Sequence, residues 1–508
     1  MQDWIIVTGI AVAYLIIVLV VGLRARSAQS STLEGYVAGG RDVGLLILFF
    51  IMGAEIFSAF AFLGGPGWAY GQGAPALYIL AYLGLGLLPW WVLGPKAARL
   101  GRRYGYLTQA DLMSDRFSSR GLSAVVALVS VAAFIPYLVL QITGAGFLFE
   151  FATGGNVPFW LAALAAFVVV TIYVYASGLR GIGWTNLIQG IIMVVVAWFL
   201  GLLIANRFYG GVGPMFREIQ QRAPEYLTLP GAEGMGWAAF STAILVSALG
   251  FTMWPHIFMK SYGADSEKTI KKIVIIYPLY GYLLVPILII GFAGILVFRD
   301  NPLSNPDDVL LELTVNAANF SPWIIGIMLS GALAAAMSTG ANLAHTASTV
   351  LVRDLFVAVF KRDLPEGRVV TLTKVFVVVL SVIAYLLALV NPASLVDLLL
   401  GAYGGVVQFL PLIVAVFFWK RATKAGAWAG LISGSLVTLL FTFGGVIGVS
   451  TPFEIHAGIW GLIVNTVVLV GVSLATTPMP TEHVNRFVEG SKASLEEIGE
   501  PQTSQPSA

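Results

Sequence analysis

Long apolar stretches separated by short polar segments run along almost the whole chain. A helix needs about 20 mostly apolar residues to cross the hydrocarbon core of a bilayer, and windows of that length predict thirteen spans. The predicted spans are residues 4–23, 43–71, 76–95, 121–149, 157–177, 184–206, 236–259, 273–298, 322–346, 369–390, 395–418, 426–447 and 457–476. The pattern therefore predicts an all-α integral membrane protein.

The composition agrees with a membrane protein and excludes other classes. Hydrophobic residues make up 58% of the chain and charged residues only 11%, against roughly 25% charged residues in soluble domains. Cysteine is absent, which excludes disulfides, thiolate metal sites and catalytic thiols. The formal net charge is only +2, so we expect the lipid bilayer, and no nucleic acid, as a partner.

The distribution of Lys and Arg predicts which side of the membrane each loop faces. Basic residues collect in alternate connecting segments, whereas the other loops hold only Arg207, Arg217, Arg222 and Arg299. Loops rich in Lys and Arg are cytoplasmic. We therefore expect a protein of the cell (plasma) membrane, with its N-terminus outside and its C-terminus in the cytoplasm.

Two of the predicted spans contain residues that break a helix. The second span, FFIMGAEIFSAFAFLGGPGWAYG, contains Gly53, the charged Glu55 and the glycine-rich run 64–67. The seventh, LVSALGFTMWPHIFMK, contains Gly250 and Pro255. Backbone groups freed in this way are tolerated in lipid only where protein or a water-filled cavity satisfies them. Isolated breaks also occur in receptors and channels, but these two lie five spans apart and run in opposite directions, as in inverted-repeat transporters.

This pairing predicts the organisation of the chain. We expect a first five-helix repeat over residues 43–206 and a second, inverted repeat over 207–418. An N-terminal span with a cytoplasmic loop, 1–42, precedes them, and two C-terminal spans, 419–476, follow. The remaining residues, 477–508, are rich in Ser, Glu and Pro, and predict a disordered cytoplasmic tail.

Polar groups inside two spans are candidates for a binding site. Glu55 brings a carboxylate into the second span, where such groups usually serve an ion or substrate pathway; the alternative is a protonated or structurally paired Glu. In the ninth span, Ala335, Ser338 and Thr339 lie three and four residues apart, so one carbonyl and two hydroxyls share a helix face. Such a face suits a hard cation, or alternatively close helix packing with each hydroxyl bonded to its own helix.

Six segments in this chain then point to one family: AEIFSAF…GGPGWAYG, RRYGYLTQADLMSDRF, SGLRGIGWTNLIQG, WPHIFMKSYGADS, LAAAMSTGANL and SLVDLLLGAYGGVVQFLP. In this order they resemble the sodium:solute symporter family, from about residue 4 to 475. The resemblance implies a LeuT-type core, a 5+5 inverted repeat with two broken helices. It also implies a sodium site that uses the carbonyls of Ala54 and Phe57, together with Ala335, Ser338 and Thr339.

The resemblance further implies that the solute binds beside this ion, between the two broken helices and the third and tenth core helices. The matching residues are Glu55, Ser58, Tyr137, Gln141, Phe251, Trp254, Tyr403 and Gln408. Each has a structural alternative, because a Tyr or Gln in a span can bond a neighbouring helix and an aromatic ring can simply pack.

Two positions depart from the family pattern. Many relatives carry an acidic residue where this chain has Asn186, which puts the ion exit route in question. Several relatives have an uncharged side chain at Glu55, so substrate rules taken from the family are weakest there.

These features predict a secondary active transporter that couples sodium entry to the uptake of a small organic solute by alternating access. The runs FLGGPGWAYG and IPYLVLQ look most like monocarboxylate and pantothenate permeases, and less like sugar and proline carriers. This favours an organic acid such as lactate, pyruvate, acetate or pantothenate. No Arg lies inside a span to pair with a carboxylate, so we expect helix N-termini at the breaks to bind the anion.

Other solutes and ions remain as alternatives. An ionised Glu55 would repel an anion and favour an amine or zwitterion, which makes a sodium symporter for an amino acid one alternative. A proton-coupled symporter of the same fold is another, with Glu55 or His256 as the proton carrier. His256 could equally be a structural residue at the membrane boundary.

A channel and a membrane enzyme are the competing classes. A channel needs a continuous pore and has no need of paired broken helices. An enzyme needs a nucleophile with a base or a metal cluster, but the sequence has no HExxH motif. Its four histidines, His256, His345, His456 and His483, lie in different segments. We therefore expect no enzyme and no catalytic residue, with sodium as the coupling ion.

Overall fold

The computed structural model of the chain describes residues 3–26, 28–232, 234–282, 284–360, 364–390 and 402–492. Within these residues the protein is helical, with no β-strand; one isolated bridge joins Val43 to Ala264. Apolar stretches form helices in a membrane because every backbone group must be satisfied within the segment. The predicted all-α fold is confirmed.

The helices follow the predicted apolar stretches. Those of the first half are α1 Asp3–Arg24, α2 Leu33–Ala38, α3 Leu45–Ile56, α4 Gly65–Gly71, α5 Tyr78–Gly86, α6 Trp90–Tyr104, α7 Gln109–Arg116, α8 Arg120–Ala152, α9 Phe159–Tyr209 and α10 Val212–Arg222. Those of the second half are α11 Trp237–Phe251, α12 Pro255–Phe258, α13 Lys260–Gly263, α14 Glu267–Tyr282, α15 Val285–Val297, α16 Val309–Leu311, α17 Pro322–Val350, α18 Glu366–Ala388, α19 Leu410–Phe418, α20 Lys424–Phe443, α21 Ala457–Ala475 and α22 Thr481–Val488.

Judged by helix length and apolarity alone, the structure has fewer membrane spans than the sequence predicts. Among the described residues, eight helices are long and apolar enough to cross a bilayer, and the number is eleven when each of three bent pairs counts as one span. The predicted thirteen therefore stays a prediction. It adds one span where Ala402–Phe418 forms a shorter apolar helix, and its span 395–418 begins in residues outside the described part of the chain.

The other added span falls within α9. This helix has 51 residues, which corresponds to about 76 Å at 1.5 Å per residue, far longer than one bilayer core. Gly178 interrupts it with a φ of +58° and a ψ of −146°. A Cβ at Gly178 would lie 2.5 Å from the carbonyl oxygen of Tyr36, so only glycine fits this break. The break lies at the junction between the predicted fifth and sixth spans.

Three pairs of helices are bent sharply. Leu45–Ile56 and Phe60–Gly71 meet at 55°, and Trp237–Phe251 and Pro255–Gly263 meet at 44°. These two are the breaks that the sequence predicts. The third pair, α5 with α6, is bent by 50° and was not predicted, because residues 76–95 were treated as one uninterrupted span. Pro89 lies at the bend, lacks a backbone N–H and so cannot continue the helical ladder.

The helix at the centre of the molecule is α17. Every residue from Met328 to Val350 is buried, and α17 packs against α1, α3, α8, α9 and α18. Small residues allow this close packing; a Cβ at Gly340, for example, would lie 2.7 Å from the ring of Phe167. The helix that carries Ser338 and Thr339 is therefore enclosed by protein on all sides.

The C-terminal tail is not entirely disordered as predicted. Within residues 477–508 the structure forms α22, and the side chains of Val484 and Phe487 in this helix are buried. Apolar residues three and four apart form a stripe that docks a helix even in a polar segment. The prediction was wrong for this part, and residues 493–508 lie outside the described residues.

Candidate functional site

The two predicted breaks meet α17 near the middle of the molecule. The helix α3 ends at Ile56, and Phe57 has a ψ of 70°, which is not helical. Ser338 Oγ on α17 donates to the carbonyl oxygen of Ala54 over 2.8 Å, and Thr339 Oγ1 donates to that of Glu55 over 2.7 Å. Carbonyls freed at the end of α3 are therefore satisfied by hydroxyls of a helix from the other repeat.

Four of the five predicted sodium residues lie together. Ser338 Oγ contacts the carbonyl oxygens of both Ala54 and Ala335, at 2.8 and 3.0 Å. Thr339 lies next to these residues, but its hydroxyl donates to the carbonyl of Glu55 and not to the carbonyl of Ala54 or Phe57. Carbonyl and hydroxyl oxygens are the ligands that hard cations prefer. The oxygens are of the predicted type, and their role as sodium ligands stays a prediction.

The fifth predicted sodium residue, Phe57, is fully buried at the break. Its ring packs against Tyr280 and Phe62, with centroid distances of 5.3 and 6.2 Å. Its carbonyl as a sodium ligand stays a prediction. In the part of the chain that the structure describes, no group of three His, Cys, Asp or Glu side chains could hold a metal ion.

Aromatic residues form a wall beside this oxygen set. Trp254, at the break after α11, packs against Tyr137 of α8 and Tyr403, with both centroid distances 5.5 Å. Tyr137 adjoins Ser58, whose side chain is fully buried at the first break. Gln141, one turn after Tyr137, accepts from the backbone N–H of Ala59 over 2.9 Å. The structure thus brings together most of the predicted solute residues.

The contacts of two other predicted solute residues are with side chains outside this wall. The ring of Phe251 packs against Tyr277 at 5.7 Å. The amide of Gln408 donates to Thr438 of α20, over 3.2 Å, and to the carbonyl of Gly458 in α21, over 3.1 Å. The bonds of Gln408 thus join the C-terminal helices, and the structure does not bring it into contact with Trp254. Its role in solute binding stays a prediction.

The sequence analysis missed a charged group beside Glu55. His256 Nε2 lies 3.0 Å from Glu55 Oε1, and Lys260 Nζ lies 3.7 Å from Glu55 Oε2. Lys260 also donates to Asn342 Oδ1 over 2.9 Å. We call these four residues, Glu55, His256, Lys260 and Asn342, the Glu55 cluster. Glu55, His256 and Lys260 are no more than 4% exposed in their side chains.

The predicted seventh span, 236–259, ends before Lys260 and so leaves this residue in the connecting loop, and this was wrong. Lys260 begins α13, in the second half of the bent pair Trp237–Phe251 and Pro255–Gly263, and is buried. The signal in the sequence was the spacing of His256 and Lys260, four residues apart and thus on one helix face. That face meets Glu55 only because both broken helices cross at the same level.

The charges of the Glu55 cluster make it a costly arrangement. A charged side chain at the centre of a bilayer costs about 2.5–3.5 kcal/mol on insertion scales. Removing one partner of a buried ion pair costs about 3–5 kcal/mol, because the other charge is left uncompensated. Of the two contacts to Glu55, that of His256 at 3.0 Å is within hydrogen-bond distance, whereas that of Lys260 at 3.7 Å is longer and acts mainly through charge.

Backbone hydrogen bonds join the segment before α3 to the segment at the end of α13. The N–H of Val43 donates to the carbonyl of Gly263 over 3.0 Å, and the N–H of Asp265 donates to the carbonyl of Val43 over 3.1 Å. Arg102 adds a bond of 2.9 Å to the carbonyl of Ala264. These bonds tie the start of the first broken helix to the end of the second.

Asn186, the departure noted in the sequence, is fully buried in α9. Neither of its amide atoms has a hydrogen-bond partner within the described ranges. An amide carries no charge to attract a cation, so the position differs in kind from the acidic residue of many relatives.

Comparisons with known proteins agree with this architecture. The family model described as the sodium:solute symporter family matches residues 36–434. Similar relatives are the uncharacterized symporter YhjB of Bacillus subtilis (strain 168), 36% identical over 91% of this chain and 95% of that protein; the sodium/pantothenate symporter of Escherichia coli (strain K12), 30% identical over 84% and 88%; and the sodium/proline symporter of the same organism, 29% identical over 91% of both. The expectation that proline carriers resemble the chain less than pantothenate carriers is not supported by these values.

A solved structure shares the fold. It is the substrate-bound outward-open state of a Na+-coupled sialic acid symporter, with a TM-score of 0.77 at 19% identity. The match covers 94% of this chain and 99% of that one. The expected LeuT-type architecture is confirmed.

Proposed function

Because this chain belongs to the sodium:solute symporter family, we propose that it carries a small organic acid into the cell together with sodium. The family consists of multi-pass membrane transporters, and the expectation that the chain is not an enzyme is confirmed. The proposed orientation follows the basic loops, with the N-terminus outside and the C-terminus in the cytoplasm.

The observation that carries the proposal is the contact between Ser338 and Ala54. It brings carbonyl and hydroxyl oxygens of α3 and α17 to one point, where a sodium ion would bind to both helices. An ion held by two elements favours the packing in which those elements are close. Sodium binding is thereby able to bias the alternation of the transporter between its two openings.

A monocarboxylate or a pantothenate-like acid is the solute that we propose. The pantothenate symporter of Escherichia coli is a relative, and the aromatic wall of Tyr137, Trp254 and Tyr403 offers apolar surface to an organic solute. The buried ammonium of Lys260, with the imidazole of His256 beside it, supplies a carboxylate partner that was absent from the sequence prediction.

Two alternatives each have an observation in their favour. The similarity to a sodium/proline symporter favours sodium symport of an amino acid. The buried contact between Glu55 and His256 favours proton coupling on the same fold.

Energetics distinguish these solutes. A sodium ion that enters down a tenfold gradient and about 100 mV releases roughly 1.4 plus 2.3 kcal/mol, enough to concentrate a neutral solute several hundredfold. A monoanion that moves with one sodium carries no net charge, so only the chemical part remains and accumulation is limited to about tenfold.

Uptake into proteoliposomes tests the proposal. Radiolabelled acetate, lactate, pyruvate, pantothenate and proline are supplied with an inward sodium gradient, with equal sodium on both sides, or with a proton gradient alone. We expect accumulation of one acid under the sodium gradient and none under the other two conditions. Accumulation of proline would favour the amino-acid alternative, and accumulation driven by protons alone would overturn sodium coupling.

A further inference from the structure

The Glu55 cluster combines burial with incomplete bonding. Lys260 reaches Glu55 only over 3.7 Å, whereas its short hydrogen bond of 2.9 Å goes to Asn342. His256 Nε2 is within hydrogen-bond distance of Glu55 Oε1, at 3.0 Å. Within the described ranges, Nδ1 of the same histidine has no partner with hydrogen-bond geometry, although buried polar atoms are normally satisfied.

The cluster is joined directly to the proposed sodium ligands. Asn342 Nδ2 donates to the carbonyl of Ser338 over 3.2 Å, while its Oδ1 accepts from Lys260. Glu55 is linked to the same turn of α17, because its carbonyl accepts from Thr339. An ion beside Ser338 and Thr339 would therefore lie within one helical turn of Asn342, the residue that holds Lys260.

The aromatic wall adjoins the cluster through His256. The ring of His256 packs against Trp254 at 5.2 Å and against Phe134 at 5.4 Å, while its Nε2 faces Glu55. A solute resting on Trp254 would therefore meet His256 first and Lys260 one helical turn further along.

The charges balance in only two states. Glu55 and Lys260 cancel in the empty site, with a neutral His256. One sodium ion alone leaves an excess positive charge, and one carboxylate alone leaves an excess negative charge. An uncompensated charge in a buried site is strongly unfavourable. Only the empty site and the site with both ligands are neutral.

We infer that Lys260, assisted by His256, binds the carboxylate of the solute while Glu55 turns from Lys260 to the incoming sodium ion. This inference rests on the proposed function and names its solute class, a monoanionic carboxylate. No covalent bond is made or broken. The ion pair of Glu55 with Lys260 is replaced by two ion pairs, sodium with Glu55 and the solute carboxylate with Lys260. A zwitterion is disfavoured, because its amine with sodium leaves the loaded site with a net positive charge.

A comparison of acids with their amides tests the solute half of this exchange. Uptake of acetate, lactate, pyruvate, pantothenate and proline is measured against an excess of each unlabelled acid or its primary amide. In the unaltered protein we expect the amide of the transported acid to compete at least about 30-fold more weakly than the acid. In Lys260→Gln we expect this preference to fall to within about threefold, because Lys260 no longer distinguishes the carboxylate. Lys260→Arg should keep most of it, and Lys272→Gln, at an exposed lysine of α14, should change nothing.

Binding of radioactive sodium to the purified protein, without solute, tests the other half. Lys260→Gln removes the competitor for Glu55, so sodium should bind at least about tenfold more tightly. Glu55→Gln should weaken binding by a similar factor. Size-exclusion profiles and melting temperatures show whether each variant is folded, and the amide comparison in the unaltered protein needs no variant at all.

The outcomes separate the inference from the proposed function. Sodium-driven uptake with an unchanged acid preference in folded Lys260→Gln would overturn the exchange and leave the symporter intact. Equal competition by acid and amide in the unaltered protein would do the same. The absence of sodium-driven uptake in the unaltered protein would overturn the proposed function itself.

Discussion

Two neighbouring groups at the crossing of the broken helices differ in the kind of contact they make. Ala54, Ala335 and Ser338 meet through neutral oxygens in bonds of 2.8 and 3.0 Å. Glu55 and Lys260 meet through full charges that are 3.7 Å apart and poorly directed. Neutral oxygens form a site that a monovalent cation can leave, whereas paired charges penalise any state in which only one ligand is present. The neutral oxygens therefore suit reversible binding of sodium, and the charged pair suits the coupling of sodium to the solute.

The largest effect should come from breaking the charged group. Glu55→Gln leaves Lys260 buried without its counter-charge. The free-energy cost is about 3–5 kcal/mol, which corresponds to a factor of at least about 100 in an equilibrium constant. We expect sodium-driven uptake to fall by that factor, measured as initial rate in proteoliposomes. Glu225→Gln, at an exposed residue, is the matched control.

The double variant Glu55→Gln with Lys260→Gln sharpens this result. It restores neutrality, so we expect the melting temperature to recover while sodium binding stays weaker than in the unaltered protein. Unchanged solute preference and uptake in Glu55→Gln would show that Glu55 has a structural role only.

Removing the neutral oxygens should have a more moderate effect. Ser338→Ala with Thr339→Ala removes two ligands, each worth about 1 kcal/mol. The sodium concentration for half-maximal uptake should rise about 10- to 30-fold, while the maximal rate changes little. Thr371→Ala, at an exposed threonine of α18, serves as the control. Sodium dependence that does not move would remove these residues from the ion site.

A smaller effect should distinguish two glutamines that the sequence grouped together. Gln141→Ala leaves the N–H of Ala59 unsatisfied at the break, a cost of about 1–3 kcal/mol. We expect the solute concentration for half-maximal uptake to rise about tenfold. Gln408→Ala should instead lower the melting temperature and leave that concentration unchanged, because its bonds hold α20 and α21. A shift of the uptake constant by Gln408→Ala alone would reverse this assignment.

The smallest expected effect is that of the membrane potential. A site that is neutral both when empty and when loaded with one sodium and one monoanion moves no net charge across the membrane. Potassium gradients with valinomycin impose potentials of either sign on the vesicles. Uptake rates should agree within about twofold, and a strong dependence on the potential would require a second cation or an uncharged solute.

The sequence was informative where a signal is local. Gly53 and Pro255 mark the two breaks, and Ser338 and Thr339 share a face that the structure places against Ala54. The three-residue bend before Trp90 was harder to predict, because one proline near the end of an apolar run is also compatible with an intact span.

The missed features depend on contacts distant in sequence. Lys260 follows an apolar run, like many basic residues at a membrane boundary, and only the crossing with α3 shows that it is buried beside Glu55. The position of Gln408 along a span likewise cannot show which neighbouring helix its amide contacts. In α22, an apolar stripe of a few residues was outweighed by the polar composition around it.

The most direct test of the account is a measurement of both fluxes in the same vesicles. Proteoliposomes receive radioactive sodium and the transported acid, each labelled with a different isotope, at zero membrane potential. The account predicts that each ligand stimulates entry of the other and that the two enter in a ratio of one to one. Entry of the acid without entry of sodium, or of sodium without the acid, would contradict it.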